Sequence, residues 1–210
     1  MIKNIKNLVL FKLGWVGCVT FAATGYPGLA ILTVVAVSAL HLATVPVKSK
    51  EVVFLFAAAM IGMAWESALV GLGIVSYPGH AENAVFAPFW IVAMWVLFAT
   101  TINHGMAWIK RNWIIASAAG LLGGPMAFFG GAGLGAVEFS DSLLAMGVIG
   151  IGWAIMLPLL ALTADTIIDS AWLEPSDNAP VSPGVKPSGP AARIADVVLP
   201  ILEREARYGH

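Results

Sequence analysis

Val52–Tyr77 reads VVFLFAAAMIGMAWESALVGLGIVSY. The run holds one acidic side chain, Glu66, and no basic one. At about 1.5 Å per helical residue it can cross the roughly 30 Å hydrocarbon core of a bilayer. Lipid cannot hydrogen-bond a bare backbone, so the run predicts a spanning helix. It also sets the central question, because a carboxyl near the middle of such a helix costs at least a few kcal/mol unless it faces protein or a cavity.

Five further runs flank it. They are about Leu8–Ala23, Gly28–Val45, Pro88 to Lys110-Arg111, Trp113–Val137 and Ser142–Ile168. None alternates as a barrel strand does. Trp15, Tyr77, Trp90, Trp108, Trp113 and Trp172 gather near span ends, as interfacial aromatics do. The fold class expected is all-α: a six-transmembrane helix bundle with a Pro-rich cytoplasmic tail. All eleven Lys and Arg, from Lys3, Lys6 and Lys12 to Arg204 and Arg207, then fall on one side. Positive charge near span ends faces the cytoplasm, so both termini are expected inside, in a multi-pass protein of a bacterial inner membrane.

Composition agrees. Hydrophobic residues make up 59% of the 210 and charged residues 11%, where a soluble domain is nearer half and a quarter. The net charge of −1 and the lack of a basic stripe exclude nucleic acid as a partner. Cys18 is the single cysteine and lies in an apolar run, which suits a small packing residue. Lys12 interrupts the first apolar run and no small-x-small site follows, so an uncleaved span is expected rather than a signal peptide. Three segments result: a transmembrane domain over 1–172, a Pro-rich linker over 173–190, and a possible amphipathic cytoplasmic helix over 191–210.

Chemistry is expected first at Glu66. Ala59, Gly62, Glu66, Gly73 and Tyr77 share a stripe if the helix continues to Tyr77. Burial favours the neutral acid, a hydrogen-bond donor or general acid. The alternative is a structural carboxyl bonding a neighbouring helix. Trp65, Trp95, Tyr77, Gly124 and Pro125 are expected to line a substrate site beside it. Pro125 should kink the fifth span near that level, with Gly120/Gly124 and Gly131/Gly135 allowing close packing. A second polar group, His41, Asn103, His104 and Asp165, lies nearer the cytoplasm, with Lys12 nearby. Asn103 and His104 are catalytic candidates, but straight helices put His104 about 10 Å from the depth of Glu66. No single helix carries H-x-x-x-H or E-x-x-H spacing, so neither a metal nor a cofactor is expected. There is no G-x-S-x-G and no Ser-His-Asp set.

Glu66-Ser67-Ala68-Leu69-Val70-Gly71-Leu72-Gly73, Pro88-Phe89-Trp90 through Asn103-His104, and Gly123-Gly124-Pro125 through Val137 together carry a resemblance. The chain resembles an uncharacterised family of small bacterial inner-membrane proteins, a domain of unknown function, over about residues 8–165. The resemblance implies an integral membrane protein with Asp or Glu at position 66. Association with lipid-modifying enzymes implies lipid metabolism. Gly133 departs from the larger or basic residue expected there, which argues against an anion site in the outer half of span five. Three functions stay open. One is a lipid-handling enzyme or accessory protein acting on an acyl or isoprenoid chain, with membrane lipid as its partner. The others are a structural partner of a neighbouring membrane protein and a proton-coupled transporter.

Overall fold

The computed structural model describes residues 2–81 and 84–169. The linker, the possible amphipathic helix, Trp172 and Glu82 lie outside the described residues. Six α-helices follow one another: α1 Ile2–Ala23, α2 Pro27–Thr44, α3 Lys48–Gly71, α4 Phe89–Ile102, α5 Trp113–Gly133 and α6 Ser142–Ile168. A 3₁₀ helix, Ala107–Arg111, joins α4 to α5. Short strands β1, Val75–Ser76, and β2, Glu138–Phe139, pair antiparallel.

All helices except α4 are long and apolar enough to cross a membrane. Leu13, Phe56, Met126, Phe129, Leu143 and Leu162 are among many large apolar side chains pointing outward, a surface that suits lipid and not water. This is a multi-pass membrane protein built as an all-α bundle.

α4 corrects the sequence reading. The fourth span was expected to reach Lys110-Arg111, but the α-helix stops at Ile102. At about 1.5 Å per residue it is only about 21 Å long. Most of its residues are buried, including Trp90, Trp95, Leu97, Ala99 and Ile102, and it packs against α1, α2, α3 and α6. A helix wrapped by protein need not match the bilayer, because its neighbours cover its ends. At its C-terminal end Asn7 of α1 donates to Thr100 O (3.0 Å) and accepts from Gly105 N (3.1 Å).

The third and fifth spans are also shorter than expected. α3 ends at Gly71, and Gly73 has φ +66°. Gly73 N donates to Val70 O and Ile74 N to Leu69 O, the paired bonds of a Schellman stop. α5 ends likewise, with Gly135 at φ +81°, Gly135 N on Ala132 O and Ala136 N on Gly131 O. Only glycine takes that backbone turn at little cost. Both chains then turn into β1 and β2, where Val75 faces Phe139 and Ser140 Oγ bonds Gly73 O. The helical stripe therefore ends before Gly73 and Tyr77.

Pro125 does not break α5, which runs unbroken from Trp113 to Gly133. Proline removes the N–H that would bond Leu121 O. Gly150 of α6 lies over that carbonyl, since a Cβ at Gly150 would sit 3.1 Å from it. The freed acceptor is thus covered by the neighbouring helix.

Asn112 starts α5 by accepting from Ile114 N (2.8 Å) and Ile115 N (3.4 Å). Asn112→Ala removes this cap and should cost about 1 kcal/mol. In detergent the unfolding temperature should fall by about 2–4 °C. An unchanged midpoint would mean that neighbouring helices, not the cap, hold this end.

Candidate functional site

Glu66 is fully buried. It belongs to a stripe of α3 that also buries Leu55, Ala58, Gly62 and Leu69 at three- and four-residue steps. Trp95 of α4 donates from Nε1 to Glu66 Oε1 at 2.9 Å. Gly62, one turn earlier, makes room for that indole: a Cβ there would lie 2.2 Å from the Trp95 ring. Tyr77 donates from its hydroxyl to Glu66 Oε2 at 2.6 Å. In a continuous helix these two residues would be about 16 Å apart along the axis. The reversal at Gly73 brings them together. Each carboxyl oxygen therefore has a donor, one from a neighbouring helix and one from the returning loop.

The aromatic wall continues through Trp153 of α6, stacked on Trp95 with centroids 4.8 Å apart. Gly124 of α5 seats Trp153, since a Cβ there would come within 2.3 Å of its ring. Gly152 makes room for Trp65 in the same way. Tyr77 meets Trp90 edge-on at 5.4 Å.

Glu66, Trp90, Trp95 and Trp153 line a cavity of about 320 Å³, together with Lys12 and Trp15 of α1 and Gly123, Met126 and Phe128 of α5. That size lies at the lower end for ligand pockets. Lys12 and Met126 are also exposed. The lining therefore reaches the outer surface of the bundle at both α1 and α5. Lys12 sits at the depth of Trp95. Asn7 bonds the Thr100 carbonyl, and five residues along each antiparallel helix, about 7.5 Å, lead to Lys12 and Trp95. Phe11 against Phe98, 5.9 Å apart, gives the same register. The Lys12 ammonium stands 5.5 Å from the Trp15 ring centroid. The Trp153 Nε1–H is buried without a hydrogen-bond partner among the described residues. An acid, a cation and a spare donor thus belong to residues that line one cavity.

Of the residues expected to line a substrate site, Trp95 lines this cavity. Tyr77, Trp65, Gly124 and Pro125 do not: Tyr77 bonds Glu66, Gly124 seats Trp153, Trp65 packs on Gly152 and Pro125 on Gly150. Lys12 and Trp153 carry more of it than their sequence context suggested. Their signal was weak: one charge inside an apolar run, and one tryptophan between small residues.

The second polar group divides in two. Lys110 Nζ reaches Asn103 Oδ1 at 3.0 Å and Asp165 Oδ1 at 2.5 Å. His41 and His104 instead converge on Glu51, a residue not expected at a site. His41 Nε2 is 2.8 Å and His104 Nε2 3.5 Å from Glu51 Oε1. Glu51 precedes the apolar run that starts at Val52, but α3 begins at Lys48, so Glu51 lies in its first turn and faces inward. Glu66 is fifteen residues further along α3, about 22 Å away. His104 and Asn103 therefore do not share a site with Glu66.

A family described as "Protein of unknown function (DUF2878)" matches residues 4–159. The chain belongs to this DUF2878 family. The DUF2878 match takes in both polar groups except Asp165, together with every residue of the cavity wall named here. No curated protein and no solved structure matches the chain.

Proposed function

We propose that this protein handles a lipid at the cytoplasmic membrane of a bacterium, taking an acyl or isoprenoid chain into the cavity beside Glu66 as an enzyme or as the accessory protein of one. The charged end of the bundle faces the cytoplasm. One observation carries the reading: a buried carboxyl belongs to the wall of an aromatic cavity whose lining reaches the bundle surface at α1 and α5. Apolar walls suit a chain, and Lys12 at the mouth suits an anionic or strongly polar head group. In this reading Glu66 is the proton donor for chemistry on the chain, and Trp95 and Tyr77 hold it in place. A structural reading has its own support, since the two donors would equally describe a carboxyl that only ties α3 to α4 and the loop. α5 runs as one helix through Pro125, which lends a carrier reading less support than an interrupted helix would.

Gly123→Trp tests occupancy. Gly123 is on the wall, and a Cβ there meets no atom within 4 Å. The bulky side chain should fill the cavity without moving a helix. Protein purified in mild detergent should carry lipid detectable by mass spectrometry, and Gly123→Trp should carry at least several-fold less at an unchanged unfolding temperature. Equal lipid in both proteins, or none in either, would rule the cavity out as a chain site. Glu66→Gln then tests chemistry: the cell's lipid profile should shift while the purified variant keeps its bound chain. An unchanged profile would leave binding without catalysis.

A further inference from the structure

We propose that His41, Glu51 and His104 form a binding site for a divalent transition-metal ion, at the opposite end of α3 from Glu66 and independent of the lipid reading. The three residues come from three elements: the last turn of α2, the first turn of α3 and the turn after α4. Their donor atoms all lie within 4.8 Å of one another. A tetrahedral or octahedral ion bonded at about 2.0–2.1 Å needs neighbouring donors roughly 3.0–3.4 Å apart. The two His-to-Glu51 separations, 2.8 and 3.5 Å, bracket that spacing. Modest side-chain rotation would close the set.

The donors are held for the task. His41 and Glu51 are buried, so their positions are set by packing. The two imidazoles meet edge to face, centroids 4.8 Å apart, and both direct Nε2 toward one carboxyl oxygen. His104 Nε2 is itself buried, yet it makes no hydrogen bond among the described residues. Its 3.5 Å separation from Glu51 Oε1 is long for a hydrogen bond and close to the spacing of two ligands on one ion. His104 as a residue is partly exposed, with 29% of its side chain accessible, which leaves a path in and an open coordination position.

Two imidazoles and one carboxylate select the ion class. Neutral imidazole suits zinc, iron, cobalt, nickel or copper, whereas magnesium and calcium prefer all-oxygen sets. Cys18 cannot join, because it lies in the other half of α1, against the Trp90 carbonyl. Three protein ligands with a position free match a reactive or exchangeable site more than a closed structural one. The ion would also tie α2, α3 and the α4 turn together where the helices end.

The test uses the purified full-length protein, stripped with chelator and then given Zn²⁺ or Co²⁺. One equivalent should remain after dialysis, and Co²⁺ should develop visible d–d absorption. Metal should raise the unfolding temperature. His104→Ala and Glu51→Gln should each weaken binding at least about 10- to 100-fold and abolish the thermal shift, while Asp165→Asn, an acid change at the same end, leaves both intact. His104→Ala removes a partly exposed side chain, so it should fold even if Glu51→Gln does not. No stoichiometric uptake by the unaltered protein, or full uptake by the folded His104→Ala variant, would overturn the site.

Discussion

Gly120→Ala is expected to lower the unfolding temperature in detergent more than Gly123→Ala, Gly131→Ala or Gly133→Ala on the same helix. A Cβ at Gly120 would lie 2.0 Å from the backbone oxygen of Trp153 and 2.6 Å from its carbonyl carbon. Backbone cannot rotate out of the way as a side-chain tip can. α5 and α6, the most closely associated pair in the bundle, would have to separate by roughly 1 Å to restore ordinary contact. Overpacking of this kind costs about 1–3 kcal/mol, occasionally more. At Gly123 and Gly133 a Cβ meets nothing within 4 Å. There the gain of about 1 kcal/mol in helix propensity should leave stability unchanged or slightly raised. The effect at Gly120 should also reach the site, because Trp153 stacks on Trp95, which bonds Glu66. Equal midpoints for Gly120→Ala and Gly123→Ala would show that the two helices do not approach this closely.

Glu66→Leu and Glu66→Gln should differ widely. Leucine leaves two buried donors, the Trp95 Nε1–H and the Tyr77 hydroxyl, without acceptors. Each orphaned group costs about 1–3 kcal/mol, so the loss should be about 2–6 kcal/mol. Glutamine can serve both. Its carbonyl oxygen accepts from Trp95, which can only donate, and its amide donates to the Tyr77 oxygen, which leaves the Tyr77 O–H proton as the one unpaired donor. Glu66→Gln should therefore unfold within a few degrees of the unaltered protein. Tyr77→Phe should cost less than Glu66→Leu, since Trp95 still holds the carboxyl. If Glu66→Gln proved as unstable as Glu66→Leu, the charge of the carboxyl, and not its two acceptor positions, would be what the fold needs. The same pair separates architecture from chemistry, because Glu66→Gln keeps the hydrogen bonds while removing an acid.

The lattice of small residues was partly legible. Gly120 and Gly124 were expected to allow close packing, and they do so against Trp153. Their partner could not be named, because a small-xxx-small pair says only that something approaches. Pro125 shows the limit from the other side. Its lost hydrogen bond was foreseeable, but what would cover Leu121 O was not. Gly150, twenty-five residues later, covers it. Glu51 went unnoticed because a charge beside Lys48 and Lys50 looks like a solvated loop. Only the packing of α2 and the α4 turn shows that it faces inward.

The order of hydrophobic runs, taken alone, determined that this chain is a membrane-embedded helix bundle, and one interrupted run marked Glu66 as its odd residue. Those conclusions rest on one-dimensional physics: length against bilayer thickness, and the cost of a carboxyl in hydrocarbon. The tertiary structure decided who answers that carboxyl. Tyr77 reaches it through a left-handed glycine that reverses the chain, and Trp95 reaches it across a gap kept open by Gly62. It also decided that His41, Glu51 and His104 meet while Asn103 turns to Lys110. Meetings between residues distant in sequence depend on interhelical register, which side-chain volume sets and which no single stretch of sequence contains.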